Sequence, residues 1–381
     1  MRLRPVFLCL VTTVCIAVTA PARGADPDIT YQKIMEAPDR VSYRATLTKQ
    51  RFSADGDTTR YVQIITHQRP DRDRIDIPDA EGRIREVIIR VDHDIYRRTA
   101  SGDSLFYSHR RQSNSNVLDM NLEFSSLDLL QTNYDLEIAG ADRLLDRPVA
   151  ILAFKPRHPG RMTMTAWIDE ETGLVMRTEE RNEAGVLVEE VFLTEFEQDP
   201  RISPDIFDTE EWTGKSVETN QVIACGSISE VQKEADFKLN APIYVPPGFT
   251  LQQRRVMQHH GQPLVHFMYS DGLSRISLFQ RIASADETRR SPRGTPELHG
   301  DVRVWERGPY SILRRHYDGK LFTLIGDVAV SESVELLTSL CTIKPAVTAS
   351  PAPVGYSSWI GAGAGTGVLA VGLWILWRRR M

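Results

Sequence analysis

Residues 133–196 read NYDLEIAGADRLLDRPVAILAFKPRHPGRMTMTAWIDEETGLVMRTEERNEAGVLVEEVFLTEF, and the punctuation of this stretch decides the fold class. Short extended segments are cut by Asp, Gly and Pro at nearly regular intervals. Residues 149–154, 162–168 and 187–196 hold β-branched, aromatic and aliphatic side chains in alternating or continuous runs, which suit a pleated surface with one buried face. Between them, 169–173 and 181–185 are polar and end in Gly, the residue that accepts positive φ at no steric cost. The pattern predicts a meander of antiparallel strands in a mainly β (α+β) protein.

The same stretch carries a resemblance. Tyr134, Asp142, Arg143, Arg147, Pro156, Arg157, Trp167, Asp169, Thr172, Gly173, Leu174, Phe192 and Thr194 follow the order Tyr, "DR…R", "P-R", "W-x-D-x-x-T-G-L", "F-T". In that order they resemble the strand block of the MucB/RseB family, periplasmic regulators of the sigma-E envelope-stress response. The phrases SYRATLTKQR at 42–51 and TRYVQIITHQRPDRDRIDIPDAEGRIREVIIR at 59–90 are similar to the family's opening, which they leave only at the 78–82 turn. PPGF at 246–249, followed by YSDGLSRISLF at 269–279, resembles its small C-terminal domain. The resemblance implies a LolA-like open antiparallel barrel, with helices covering an apolar concave face, followed by a smaller α/β domain. It also implies a partner, the periplasmic region of a membrane anti-sigma factor, released when the acyl chain of a lipid or lipoprotein occupies the large domain.

Taken in order, Arg2 and Arg4, a short apolar core and small residues up to Ala25 read as a secretory signal peptide, 1–25. The core is too short to span a bilayer, which needs about 20 residues. A LolA-like domain is expected over 26–205, a linker over 206–222 and the second domain over 223–343. The formal charge of −5 with interspersed signs leaves no electrostatic footprint for nucleic acid. Once the signal is removed, Cys225 and Cys341 remain. In an oxidising compartment they are the disulfide candidate, worth about 4–5 kcal/mol for a loop of about 100 residues; two buried thiols are the alternative.

Within the large domain, strands are expected at 43–52, 60–67, 83–91 and 93–98, and a loop then a helix at 113–131. Tyr43, Leu47, Ile64, Val87, Ile89, Phe124 and Leu127 are the candidates for lining an apolar concavity; a plain core position is the alternative for each. In the second domain, 264–279 is a strand, an Asp-Gly turn and a strand. Further strands are expected at 302–305, 310–316 and 320–328, and helices at 229–237 and 331–340.

The end of the chain is set apart. A Pro/Ala-rich linker, 344–355, leads to a run without charge from Trp359 to Trp377. At 1.5 Å per residue that run is about 28 Å of helix, close to the hydrocarbon thickness. Tyr356, Trp359, Trp374 and Trp377 serve as interfacial anchors, and Arg378 to Arg380 should stay cytoplasmic. A transmembrane helix over 356–377 with a 378–381 tail would tether the protein to the inner membrane, its domains in the periplasm. Gly361 with Gly365 and Gly363 with Gly367 give a spacing compatible with a homodimer; a removable sorting tail is the other reading of this segment.

A search for chemistry finds none. His259, His260 and His266 are broken by Gly261 and Pro263 and lack an acidic or Cys complement for a metal. Ser270, Asp271 and His266 lie in a hairpin without a nucleophile elbow. No phosphate or dinucleotide fingerprint occurs outside the apolar tail, so no cofactor is expected. A binding protein is favoured over an enzyme: a regulator first, a LolA-like carrier of lipidated cargo second.

Overall fold

The computed structural model describes residues 26–53, 56–92, 94–99, 105–109, 127–212, 217–219, 222–259, 261–283, 292, 294–307 and 310–342. The expected signal peptide, the expected 344–355 linker, the transmembrane helix expected at 356–377 and most of the helix expected within 113–131 lie outside the described residues. Among the described residues no helix is long and apolar enough to cross a membrane.

The first unit opens with α1 (Pro27–Arg40). Asp26 caps it by accepting from the Asp28 N–H at 2.9 Å, and Pro27 supplies a preset φ in its first turn. The strands that follow are β1 (Tyr43–Phe52), β2 (Thr58–Gln68), β3 (Arg72–Pro78), β4 (Ile84–Val91), β5 (Asp94–Thr99) and β6 (Leu105–His109). A short α2 (Leu127–Asn133) precedes β7 (Tyr134–Leu144), β8 (Arg147–Pro156), β9 (Thr163–Asp169), β10 (Val175–Arg181) and β11 (Leu187–Gln198). With β12 (Val217–Thr219) they form one sheet in the order β12-β6-β5-β4-β3-β2-β1-β11-β10-β9-β8-β7. Every ladder is antiparallel except β12 with β6. Tight hairpins explain this: Leu145 and Asp146, both at positive φ (48° and 61°), join β7 to β8 in two residues, the geometry that matches strand twist. The sheet stays open, its end strands β12 and β7 having no ladder with each other among the described residues.

The second unit contains β13 (Val222–Ala224), α3 (Ile228–Glu234), β14 (Asn240–Pro242), β15 (Thr250–His259), β16 (Gln262–Ser270), β17 (Arg275–Ile282), β18 (Glu297–His299), β19 (Val302–Arg307), β20 (Tyr310–Tyr317), β21 (Lys320–Gly326), α4 (Val330–Thr338) and β22 (Leu340–Thr342). Eight strands form a sheet in the order β13-β15-β16-β17-β21-β20-β19-β18, and β14 pairs with β22 alone. Val231 of α3 and Leu336 and Leu337 of α4 share one core with Val265, Phe267, Leu278 and Leu324 of the sheet. The expected α/β character of this unit is corrected: its ladders are all antiparallel. Direct connections join β15 to β16, β16 to β17, β18 to β19, β19 to β20 and β20 to β21, so it is α+β.

The stretch expected as a linker is packed in part. Phe207 and Trp212 form a small core with Ile89, and Val217–Thr219 extends the first sheet.

Candidate functional site

Strand register sorts the candidate lining residues onto two faces. Ala45 lies opposite Ile65, Ile65 opposite Ile75, and Ile75 opposite Ile88. Tyr43 and Leu47, two residues either side of Ala45, share that face because side chains alternate along a strand. Tyr43 and Leu47 are buried there in one core with Leu152, Phe154, Met164 and Leu193 from the other wing of the sheet. Leu127 packs against the same core, half-buried. Ile64, by contrast, pairs with Asp76 and Asp76 with Val87, one residue out of phase. Ile89 shares the Val87 side and is buried against Phe207 and Trp212. The candidates therefore do not line one face together: Ile64, Val87 and Ile89 lie on the face opposite Tyr43 and Leu47, and Phe124 lies outside the described residues. Leu152, Phe154 and Met164 were not singled out from the sequence, although their strands were. Nothing in one sequence tells which alternation faces inward.

Helix α1 lies over this apolar face. Tyr31, Ile34 and Ala37, at 2%, 1% and 1% exposure, put a three-residue stripe into the same core. The seat is built from the residues that carried the family resemblance. Arg147 binds both Asp169 oxygens through Nε and Nη2 (2.8 and 2.9 Å) and lies 5.3 Å from the Phe196 ring centroid. Asp169 also accepts from the Thr172 N–H and hydroxyl. Burial alone would raise the Asp169 carboxyl, but Arg147 and Thr172 outweigh it and hold the group below the usual range. The turn thus braced presents Gly173 at φ +78°, where an added Cβ would stand 2.7 Å from the Lys33 carbonyl oxygen of α1. The "T-G-L" phrase is a helix seat.

Toward both ends of β1 the face turns polar. His67 and Asp73 are buried on it, with Nδ1 and Oδ1 2.6 Å apart. Further along β1, Lys49 and Arg51 both bind the buried Glu189, at 2.7 and 2.6 Å. Burial raises the Glu189 carboxyl and the two cations lower it, with a net downward shift. Arg51 also lies 5.5 Å from the ring of Tyr310 in the second unit, a contact across the two units.

A second contact between the units is a buried joint. Arg161, 3% exposed, pairs with Glu332 at the start of α4, donates to the Pro247 carbonyl at 3.2 Å and lies 3.5 Å from Asp271 Oδ2. Tyr134 donates to the same Asp271 oxygen at 3.0 Å. Asn133 Nδ2 donates to the carbonyls of Asp271 and Gly248 at 2.8 and 3.1 Å, an approach so close that a Cβ on Gly248 would meet Asn133 Oδ1 at 2.4 Å. Leu273 of the second unit completes the apolar core of the first. Burial pushes the Asp271 carboxyl up in spite of Tyr134 and Arg161, and burial with the Asp271 charge pushes Asp327 up to about 7. Beside the joint, a groove of ≈ 520 Å³ is lined by Lys155 to Arg161, Thr163, Asn182, Glu183 and Gly185.

The remaining sequence candidates do not assemble into a reaction centre. Ser270 Oγ donates to the Ser274 carbonyl and accepts from the Gly272 N–H, so it holds a turn. His266 stacks on Phe279 at 4.3 Å, and burial brings it down to about 3. Among the described residues no three His, Cys, Asp or Glu side chains group as a metal site; His260 lies outside them. Cys225 follows β13 at an edge of the large sheet, and Cys341 sits in β22. The structure carries both as thiols, Cys225 buried and Cys341 half-buried.

Comparison with known proteins adds kinship to this geometry. Residues 27–211 match the MucB/RseB N-terminal domain. The sigma-E factor regulatory protein RseB of Haemophilus influenzae is 22% identical over 336 residues, 87% of this chain and 96% of that protein. The sigma factor AlgU regulatory protein MucB of Pseudomonas aeruginosa is 25% identical over 222 residues, 54% of this chain and 60% of that protein. Among solved structures, the Pseudomonas aeruginosa MucA/MucB complex gives a TM-score of 0.57 at 20% identity, covering 84% of this chain and 99% of that one. A crystal structure of MucB gives 0.54 at 21%, covering 84% and 99%. At such identities these structures show a shared fold.

Proposed function

Given that this chain belongs to the MucB/RseB family, we propose that it is a periplasmic regulator of an envelope-stress sigma factor, acting by binding the periplasmic part of a membrane anti-sigma factor. The observation that carries this reading is the likeness to a sigma-E regulatory protein over 96% of that protein's length, both units included. The fold shared with MucB in its complex with MucA supports it. Binding shields the anti-sigma factor from proteolysis. An acyl chain of a lipid or lipoprotein, taken up on the concave face beneath α1, favours a second arrangement and releases the partner. Such release requires that the ligand bind one arrangement better than the other.

The uncharged run from Trp359 to Trp377 holds the regulator at the inner membrane and raises its effective concentration near a membrane partner. Capture of the tagged full chain from detergent-solubilised envelopes tests the reading: a co-purified anti-sigma factor is expected, and repeated recovery without one refutes it. The apolar concave face favours a second reading, a LolA-like carrier of lipidated cargo. A carrier must leave the membrane, so appearance of the mature protein in the soluble periplasmic fraction supports the carrier.

A further inference from the structure

We propose that His67 is a proton-dependent pin fixing the C-terminal end of α1 over the concave face, and that loss of its proton opens the apolar surface beneath to an acyl ligand. The opening rests on the acyl-sensing part of the function proposed above; the pin rests on geometry alone. His67 Nδ1 lies 2.6 Å from Asp73 Oδ1, and Nε2 lies 2.7 Å from the Pro38 carbonyl oxygen in the last turn of α1. A carbonyl only accepts, so Nε2 carries a proton. Neutral imidazole has a single N–H and would turn a lone pair on Asp73; the imidazolium alone donates to both oxygens. The Pro38 carbonyl is among the last of α1, which have no acceptor role inside the helix, and a cation is favoured at that end.

Other charged and aromatic groups face the pin. From β4, Arg90 stands 4.0 Å from the second Asp73 oxygen. From the end of β2, Arg69 donates to the Arg40 carbonyl at 2.9 Å. From β1, the Tyr43 ring packs 5.0 Å from the imidazole, and Asp39 on α1 adds a negative charge nearby. Burial alone would lower His67; the Asp73 bond and charge, the Pro38 carbonyl and Asp39 together raise it. The stabilisation is therefore complete below about pH 6.5 and is lost as pH rises through the higher folded value. Once the proton has gone, either the buried Asp73 or the Pro38 carbonyl loses its donor, and the last turn of α1 loosens.

Hydrogen exchange of α1 peptides in the full-length protein between pH 6 and 9.5, corrected for intrinsic rates, tests the pin. Wild type should lose at least tenfold protection across 27–40 as pH rises, His67→Gln should exchange fast throughout, and Asp73→Asn should move the transition to lower pH. Protection independent of pH in wild type overturns the proposal. Should His67→Gln fail to fold, NMR titration of wild-type His67 decides: a value above 6.5 supports the pin and one below overturns it. Uptake of N-phenyl-1-naphthylamine, an apolar probe, is followed in parallel. Uptake that rises with α1 exchange supports the opening, and pH-independent uptake overturns it. No uptake at any pH, with pH-dependent exchange retained, refutes acyl sensing while the pin stands.

Discussion

Replacing Gly173 by Ala attacks the seat of α1 directly. The residue sits at φ +78°, where an L side chain costs roughly 1–2 kcal/mol. A Cβ there would also stand 2.7 Å from the Lys33 carbonyl oxygen and 3.0 Å from the Lys33 carbonyl carbon. Both atoms are backbone of a helix, so no flexible side chain yields. Restoring ordinary contact near 3.4 Å moves α1 by about 0.7 Å, lifting Tyr31 and Ile34 from the core at an overpacking cost of about 1–3 kcal/mol. Gly185→Ala is the matched control, at φ +77° with nothing within 4 Å of the new Cβ; it carries the backbone cost alone. Urea unfolding followed by circular dichroism should place Gly173→Ala below Gly185→Ala by about 1–3 kcal/mol, with α1 amides exchanging faster only in the former. Equal destabilisation of the two variants, or unchanged α1 exchange, refutes the seat.

Arg161→Met should cost about 3 kcal/mol by leaving the buried Asp271 and the half-buried Glu332 without their cation; small-angle scattering should show the two units separating, and an unchanged radius of gyration counts against the joint. Asp327, raised to about 7 by burial and Asp271, binds a proton more tightly folded than unfolded. Stability should therefore rise as pH falls from about 7 to about 4, and Asp327→Asn should flatten that rise in urea titrations. His266, lowered to about 3 by burial and Arg255, acts with the opposite sign. Its contribution is lost as pH falls from about 6.5 toward 3. His266→Phe should remove that loss and raise stability at pH 5, because neither ring nitrogen has a hydrogen-bond partner among the described residues.

Local pattern carried much of the fold into the sequence. The strand expected at 43–52 is β1 (Tyr43–Phe52), and those expected at 187–196 and 310–316 lie within β11 and β20. The Asp-Gly hairpin is the β16–β17 turn, closed by Asp271 Oδ1 accepting from the N–H groups of Leu273 and Ser274. Strand β3 is hard to see in the sequence, because Pro70 and Pro78 bracket a charged run, Asp71 to Asp73, that reads as loop; its Ile75 is buried nonetheless. The site was harder. Ile64 and Leu47 look alike in the sequence, yet a one-residue difference in phase puts them on opposite faces. Long-range partners were invisible for the same reason that Asp271 read as a turn residue: its contacts to Tyr134 and Arg161 cross about 110 to 137 positions. Arg147, Asp169, Thr172 and Gly173 of the family phrases have a structural part here, holding α1 on the sheet.

Regulation of this kind requires partner binding. Titration calorimetry of the purified full chain with the periplasmic region of the anti-sigma factor from the same envelope measures it directly. Saturable one-to-one binding, weakened when an acyl ligand is added, is the predicted result; no measurable heat and no shift in elution of the mixture at high micromolar concentration would contradict it.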